Sequence, residues 1–286
     1  MTDQSTVPRS QQLLVTIFGL YARGDGDALP VASIVQMLGE LGIEPTGVRS
    51  SVSRLKRRGV LESRRESGVS SYAIAPSSLQ IFVEGDSRIY HPTRANIGDS
   101  WLMAIFSVPE SQREKRHVLR SELIRLGFGA VTSGVWIAPI KVREQTQERI
   151  RRLGLDHYVT FFSSDYLEPK GLSVKISKWW DLGSLESLYA DFIDRHAGML
   201  RRWQAELSGG GGGEVPVPAD RERAAFVDFI PMFTRWRHLP YLDPGLPLEL
   251  LPDDWNAQIA EQLFADIHQL ISPLAHNHVA KLSHSR

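Results

Sequence analysis

The stretch of sequence that decides the fold runs from Glu44 to Tyr72 and reads EPTGVRSSVSRLKRRGVLESRRESGVSSY. Val48, Val52 and Leu55 recur at i, i+4 and i+7, which places them on one side of a helix. At about 100° per residue, the opposite side of this helix carries small polar and basic residues. A helix with one apolar and one basic side fits the major groove of duplex DNA. The residues predicted to contact base edges or the phosphates lining the groove are Arg49, Ser50, Ser53 and Arg54, and Arg57 is predicted to hold a phosphate.

Positive charge is concentrated in this stretch, although the chain as a whole has no formal net charge. Seven basic residues and one acidic residue, Glu62, lie between positions 49 and 65. Such a concentration of cations is what the phosphate backbone of DNA attracts. The alternative interpretation is a solvated basic helix on an ordinary domain, since runs of charge commonly form solvated faces.

A β-hairpin is predicted directly after this helix. Gly59 suits the position that ends the helix. Val60–Glu62 and Ser70–Ile74 are predicted strands, with a turn at Glu66–Gly68. A basic helix followed by a two-stranded hairpin is typical of a winged helix-turn-helix domain, which we predict over residues 1–90. The wing carries two arginines, Arg64 and Arg65, which are placed for phosphates or for the minor groove, and phosphates are the preferred prediction.

Two further helices are predicted before this one. The first runs from Gln11 to about Ala22, and the second begins at Leu29–Pro30 and ends at Leu38. The segment after the hairpin is predicted to be a connector. It contains a short helix at Ser77–Val83 and an extended step at Arg88–Tyr90.

From Trp101 the pattern changes to short apolar strands alternating with helices, in the order β-α-β-β-α-β. This order is typical of a ferredoxin-like domain, which we predict over residues 91–177 with a role in dimerisation. A further short strand is predicted at residues 172–178. The strands of the β-α-β-β-α-β unit are predicted at residues 101–108, 130–132, 135–138 and 157–162, and its helices at residues 111–126 and 143–153.

The remaining residues, 178–286, are predicted to form a helical domain. A long helix runs from Trp179 to about Glu206, and two more span about 221–234 and 255–271. The run of one serine and five glycines at 208–213 is predicted to be a flexible connector. No Lys-Ser or Lys-Thr pair follows it, as a phosphate-binding loop would require.

The composition limits the class of protein. The 286 residues include no cysteine, which excludes disulfides, cysteine-ligated zinc and a cysteine nucleophile, and favours a reducing cytoplasm. The first residues lack the build of a signal peptide, and no run approaches the ~20 apolar residues of a membrane span. His276 and His278 lack a third ligand nearby and are predicted to lie in a solvent-facing tail. We therefore expect a cytoplasmic protein with no membrane partner, no cofactor and no metal.

Together these features resemble the PaaX family of bacterial repressors of phenylacetate catabolism, over nearly the whole chain. The resemblance implies a homodimeric, non-enzymatic transcriptional repressor of an aromatic-compound catabolic operon. It also implies binding to a palindromic operator in double-stranded DNA, and release by a small-molecule effector, an aryl-CoA thioester such as phenylacetyl-CoA. The motifs that carry it are Val48–Leu55 (VRSSVSRL), Leu126–Gly129 (LGFG), Gly134–Pro139 (GVWIAP), Asp243–Pro247 (DPGLP) and Leu250–Trp255 (LLPDDW).

An acyl-CoA effector needs an apolar slot for its acyl group and cations for its phosphates. For the tryptophans among the candidate residues, the alternative role is packing in the core and at hinges. In the family the run before the Asp-Pro pair is His-x-Tyr-Arg-Arg, and here Thr234 replaces its histidine and Trp236 its tyrosine. If that run contacts the effector, a different aromatic ligand is implied. The candidate effector-binding residues are Trp136, Trp179, Arg235, Trp236, Arg237 and His238.

Two other functions are left open. The central domain is also similar to the small ferredoxin-like nucleases of CRISPR systems, which hold a divalent metal with an aspartate at the end of the first strand. Ser107 occupies that position here and supplies no carboxylate, which disfavours a metal-dependent nuclease. The other alternative is a DNA-binding repressor that responds to no ligand.

Overall fold

The structure is a computed structural model that describes residues 10–24, 27–66, 68–167, 171–208 and 219–284. Ser67 of the predicted hairpin turn and the glycines at 209–213 therefore lie outside the described residues. The described residues form a mixed α+β fold. None of their helices combines the length and the apolar composition needed to cross a membrane.

The chain forms two compact units that are not consecutive in the sequence. Residues 178–286, predicted as one domain, contribute to both units. The first unit contains the described residues of Met1–Tyr90, Phe192–Arg237 and Ile259–Arg286, and the second unit those of His91–Asp191 and His238–Gln258.

Three helices and a small sheet form the N-terminal part of the first unit. The sheet is antiparallel, and two of its strands form the predicted hairpin. The third helix contacts the other two, and Pro45 begins it, a position where a missing N–H does no harm. The helices are α1 (Ser10–Tyr21), α2 (Val31–Glu40) and α3 (Pro45–Arg57), and the strands, in sheet order, are β1 (Leu29–Pro30), β3 (Val69–Ile74) and β2 (Leu61–Glu66).

Two local predictions in this unit are wrong. Leu29 and Pro30 do not begin the second helix, because they form the short strand β1, in which Leu29 pairs with Tyr72 of β3. Arg88–Tyr90 is not extended, since helix α4 (Pro76–Tyr90) continues through it and buries Ile89. In both places a partner distant in the sequence decides the local structure.

Helices from the C-terminal half complete the first unit. They are the second part of α8 (Leu182–Ser208), α9 (Ala219–Trp236) and most of α11 (Ala257–His284). Nε2 of His278 in α11 lies 2.7 Å from Oε2 of Glu40 in α2, and each side chain is 10% exposed. The prediction of a solvent-facing tail is therefore wrong for His278, which is buried within a helix.

The second unit contains a four-stranded antiparallel sheet, and its elements follow the predicted order β-α-β-β-α-β. They are β4 (Trp101–Phe106), α5 (Arg113–Arg125), β5 (Gly129–Thr132), β6 (Val135–Pro139), α6 (Arg143–Arg152) and β7 (Val159–Ser164). The order of the strands in the sheet is β5-β6-β4-β7. Helices α5 and α6 pack on one face of the sheet, since Leu102 and Ala104 of β4 share a core with Leu119 of α5 and Ile150 of α6.

Helix α7 (Leu172–Trp179) contacts β5 at one edge of this sheet. Residues 172–178 were predicted to form a strand, and that prediction is wrong. Leu172 and Ile176 are the buried residues of this segment and lie four positions apart, the spacing of a helix rather than of a strand. After α7, the ring of Trp180 lies 6.3 Å from that of Trp101 in β4.

The turn around Asp243 and Gly245, after the short helix α10 (Leu239–Leu242), is held by hydrogen bonds within the second unit. The Asp243 carboxylate accepts from Nη2 of Arg94 at 2.7 Å and from the hydroxyl of Tyr189 at 2.9 Å. Gly245 has φ of +64°, and a Cβ atom there would lie 2.9 Å from the backbone oxygen of Thr93. The Asp-Pro-Gly motif is therefore a turn whose residue types are fixed by packing.

An ion pair joins α5 to α6. Glu122 of α5 is buried, and its Oε2 and Oε1 accept from Nε of Arg149 at 2.8 Å and from its Nη2 at 3.1 Å. These hydrogen bonds hold the pKa of the Glu122 carboxyl below its ordinary value. Burial opposes that shift, and the charge of the nearby Arg125 adds to it.

We expect Glu122→Gln to lower the free energy of unfolding by about 1–3 kcal/mol at pH 7, the range for hydrogen bonds to charged groups. Because the folded pKa of Glu122 lies below its unfolded value, this stabilisation is present above the unfolded pKa. It is lost as the pH falls through the folded pKa. Urea denaturation at a series of pH values should therefore show wild type and variant converging in acid.

The matched control is Glu148→Gln in α6. Glu148 also pairs with arginines, Arg151 and Arg152, but its side chain is 54% exposed. Exposed pairs contribute about 0–1 kcal/mol, so this variant should stay close to wild type. Equal destabilisation by the two substitutions would contradict the role assigned to Glu122.

Candidate nucleic-acid interface

Helix α3 presents its basic side to solvent. Val48, Val52 and Leu55 are only 1%, 5% and 2% exposed, so the rotation of the helix about its axis is fixed by the core. The two ends of the basic side are separated by eight residues, or about 12 Å along the helix axis. The predicted residues Arg49, Ser50, Ser53, Arg54 and Arg57 are all exposed and share this surface.

The arginines of this surface are not paired with carboxylates of the described residues. In the described part of the chain, no carboxylate forms an ion pair with Arg49, Arg54 or Arg57. Arg54 and Arg57 also lie in the last turn of α3, where the helix dipole favours cations. Lys56 and Arg58, which are not among the predicted contacts, are exposed as well. Both residues lie in the same basic run of the sequence, and this position could have added them to the predicted contacts.

The hairpin of β2 and β3 carries the two other predicted arginines. Arg65 is exposed and lies opposite Ser70 of β3. Arg64 is half-buried, and its Nε donates to Oε1 of Glu62 at 3.1 Å. Arg64 therefore forms an ion pair with Glu62, whereas Arg65 forms no ion pair with the carboxylates that the structure describes. Of the two, Arg65 is the more available cation.

The candidate effector residues are divided between the two units, with Trp136, Trp179 and His238 in the second. Trp136 is 3% exposed in the core beneath α5, where the guanidinium of Arg120 lies 5.8 Å from its ring centroid. Trp179 ends α7 and is half-buried, 6.2 Å from the ring of Tyr166. These positions agree with the packing alternative for both tryptophans.

Trp236, in the first unit, is 1% exposed. Its ring is stacked on Phe264 of α11 at a centroid distance of 4.6 Å, and its Nε1 donates to the backbone oxygen of Ile89 at 3.0 Å. The side chain therefore joins α9 to both α11 and α4. Packing also accounts for this tryptophan.

Arg237 is bonded to α1 of the same unit. Its Nε donates to Oγ1 of Thr16 at 3.0 Å, and its Nη2 donates to the backbone oxygen of Gln12 at 3.2 Å. Arg235 is half-buried and His238 is exposed. Of these three side chains, that of His238 is the exposed one, and that of Arg237 is bonded to α1.

Ser107 follows β4, at the position compared with a nuclease aspartate. It is exposed, and its backbone N–H donates to the oxygen of Tyr158 at 3.1 Å. Within the described ranges, no three His, Asp or Glu side chains are grouped so that they could hold a metal ion. At the end of β4 the side chain of Ser107 is therefore a hydroxyl, and the described residues supply no group of carboxylates there that could hold a metal ion.

The chain is similar to known proteins over most of its length. The transcriptional repressor PaaX of Escherichia coli (strain K12) is 23% identical over 266 residues, which cover 92% of this chain and 80% of that protein. The solved structure of the uncharacterized protein Rv0674 from Mycobacterium tuberculosis matches with a TM-score of 0.55 and 17% identity, covering 96% of this chain and 98% of the other. At that identity the likeness concerns the fold alone.

Family models match three successive parts of the chain. Residues 9–77 match the PaaX-like protein model, residues 94–174 the central Cas2-like domain of PaaX protein, and residues 180–281 the C-terminal domain of PaaX-like protein. The three matches follow one another in order and leave only short segments uncovered. The chain therefore belongs to the PaaX family.

Proposed function

We propose that this chain is a sequence-specific, DNA-binding transcriptional repressor and not an enzyme. The observation that carries the proposal is α3, whose exposed basic side is held in a fixed orientation by buried aliphatic residues. Repression in particular is supported by the relative from Escherichia coli, which is a transcriptional repressor. A metal-dependent nuclease is not proposed, because Ser107 supplies no carboxylate at the end of β4.

The N-terminal module, residues 1–90, is proposed to be a winged helix-turn-helix domain. Helices α2 and α3 would form the helix-turn-helix pair, and β2 with β3 the wing. In this arrangement α3 enters the major groove, so that Arg49, Ser50, Ser53 and Arg54 meet base edges or the phosphates that line it. The residues proposed to hold phosphates are Arg57, Arg64 and Arg65.

A ferredoxin-like central domain, residues 91–177, is proposed to join two chains in a homodimer. The strand order β5-β6-β4-β7 supports this fold. Part of the sheet face opposite α5 and α6 is apolar and open, since Ile105 is 41% exposed and Phe162 is 49% exposed. Two modules held in this way would dock about one helical turn apart, ~34 Å, on a palindromic operator.

The proposed effector is an aryl-CoA thioester such as phenylacetyl-CoA, and the regulated genes are those of an aromatic-compound catabolic operon. Of the candidate contacts in that run, His238 is exposed, Arg235 and Arg237 are half-buried, and Trp236 is buried. An effector releases DNA only if it binds the free conformation more tightly than the DNA-bound one. A repressor that responds to no ligand is the alternative.

We expect Arg49→Ala and Arg54→Ala each to weaken binding by about 1–3 kcal/mol and to relax the sequence preference, because a base-reading contact is lost. The operator is first obtained by selecting binding sites from random-sequence DNA, and affinities are then measured by fluorescence anisotropy. Arg201→Ala is the control, since Arg201 is an exposed arginine of α8 in the same unit. Unchanged operator affinity in both α3 variants would show that α3 is not the reading helix.

We expect Ile105→Glu to convert the homodimer to monomers, because a charge cannot be buried unpaired in an apolar interface. Sedimentation or light scattering at several protein concentrations measures the change. The control is Ile259→Glu, the same substitution at a residue that is 58% exposed in α11. A dimer that persists in Ile105→Glu argues against the open sheet face as the interface.

We expect phenylacetyl-CoA to release the operator in a titration of the protein–DNA complex and free phenylacetate to leave it bound. The reason is that only the thioester offers phosphates to the cations as well as an aryl group. Arg235→Ala should raise the concentration of thioester needed. If neither compound releases DNA or shifts the melting temperature of the protein, the ligand-independent alternative is favoured.

A further inference from the structure

Charges in the second unit are strongly segregated by sign. Residues 110–152, which contain α5 and α6, include ten Lys and Arg residues and five Glu residues. The remainder of the unit includes four basic and eleven acidic residues. Solubility requires charge on exposed helices but does not require an excess of the same sign on two neighbouring helices. The segregation therefore points to a charged partner for this part of the unit.

Helices α5 and α6 lie side by side on one face of the sheet. Leu123 of α5 and Ile150 of α6 point into the same core, and the Glu122–Arg149 pair links the two helices. Their cations must consequently project from the outer side of this helical layer. We call this the α5–α6 basic surface, and its exposed cations are Arg113, Lys115, Arg120, Arg125, Arg143, Arg151 and Arg152.

Three of these cations form no ion pair with a carboxylate in the described ranges: Arg113, Lys115 and Arg120. Lys115 lies 5.3 Å from the ring centroid of Tyr158, and its Nζ donates to the hydroxyl of that residue at 3.1 Å. Arg120 lies over the ring of Trp136. Contacts with aromatic rings hold the stems of these side chains in place and leave the charges in water. Lys115 and Arg120 are thus exposed cations whose stems are held against aromatic rings.

We propose that the α5–α6 basic surface binds the phosphate backbone of duplex DNA, in addition to the contacts made by α3 and the hairpin. This inference rests on the proposed function. The thirteen residues of α5 extend about 20 Å, and their cations are distributed along that length. A distributed row of cations matches the repeated phosphates of a polyanion, whereas a single small anion requires donors that converge.

The double variant Arg113→Gln/Arg120→Gln tests the proposal in the full-length protein. Binding to a fluorescein-labelled, mixed-sequence duplex of about 40 base pairs is measured between about 50 and 200 mM salt. Each lost phosphate contact lowers the slope of log affinity against log salt by about 0.9, so we expect a slope shallower by about 2.

Two further variants make the result decisive. Lys175→Gln/Lys178→Gln removes the same charge from exposed positions of α7 in the same unit, and we expect the wild-type slope for it. Arg151→Gln/Arg152→Gln lowers the charge of α6 on the proposed surface, and we expect a shallower slope. If Arg113→Gln/Arg120→Gln does not fold, Arg151→Gln/Arg152→Gln takes its place in the test.

Wild-type slopes in both surface variants would overturn the inference. An equally shallow slope in the α7 control would overturn it as well. If Arg49→Ala still weakens binding in that case, the proposed function stands and only the second surface is rejected. A wild-type chain that binds no duplex overturns both proposals. If the cations instead bind vesicles of phosphatidylglycerol, and the slope on duplex DNA stays unchanged, an anionic membrane is the partner and the inference is wrong.

Discussion

The burial of one side of α3 is the constraint on which the proposed interface depends. Consecutive side chains on a helix differ by about 100° in direction, so the core residues Val48, Val52 and Leu55 also determine where the arginines point. Burying three such aliphatic side chains contributes about 1.5–3 kcal/mol each, enough to fix one rotation of the helix. Ser51 adds a polar contact on the same buried side, since its hydroxyl lies 2.5 Å from that of Ser10 in α1.

Two of the family motifs, DPGLP and LGFG, have structural roles in the second unit. Asp243 accepts hydrogen bonds from two side chains and from the N–H of Gly245, so its carboxylate is satisfied within the fold. Gly127 of the LGFG motif has φ of +89°, and a Cβ atom there would lie 3.3 Å from Cα of Pro244. The two motifs therefore meet at one close contact. Their residue types follow from packing and do not by themselves indicate a binding site.

The sequence predicts elements well where one local periodicity decides them. The spacing of Val48, Val52 and Leu55 predicts α3, and the alternation of short strands and helices predicts the order of elements in the second unit. It fails where a distant partner decides. Leu29 is in a strand because it pairs with Tyr72, and His278 is buried where α11 lies beside Glu40 of α2 and Phe226 of α9. The binding roles of individual residues carry no periodic signal, so the surface of α3 was predictable but an effector site was not.

The end of α9 shows how a signal in the candidate effector run could reach the module that holds α3. Buried hydroxyls of Thr234 and Thr16 lie 2.8 Å apart, Arg237 donates to the same Thr16, and Trp236 donates to the end of α4. These bonds attach α9 to α1 within one unit, and α1 contacts α3. A ligand at Arg235 would therefore act on a helix that is already joined to α1, which contacts the proposed recognition helix α3. Coupling by this route requires no separate hinge, only a ligand that favours one of two packings of α9 on α1.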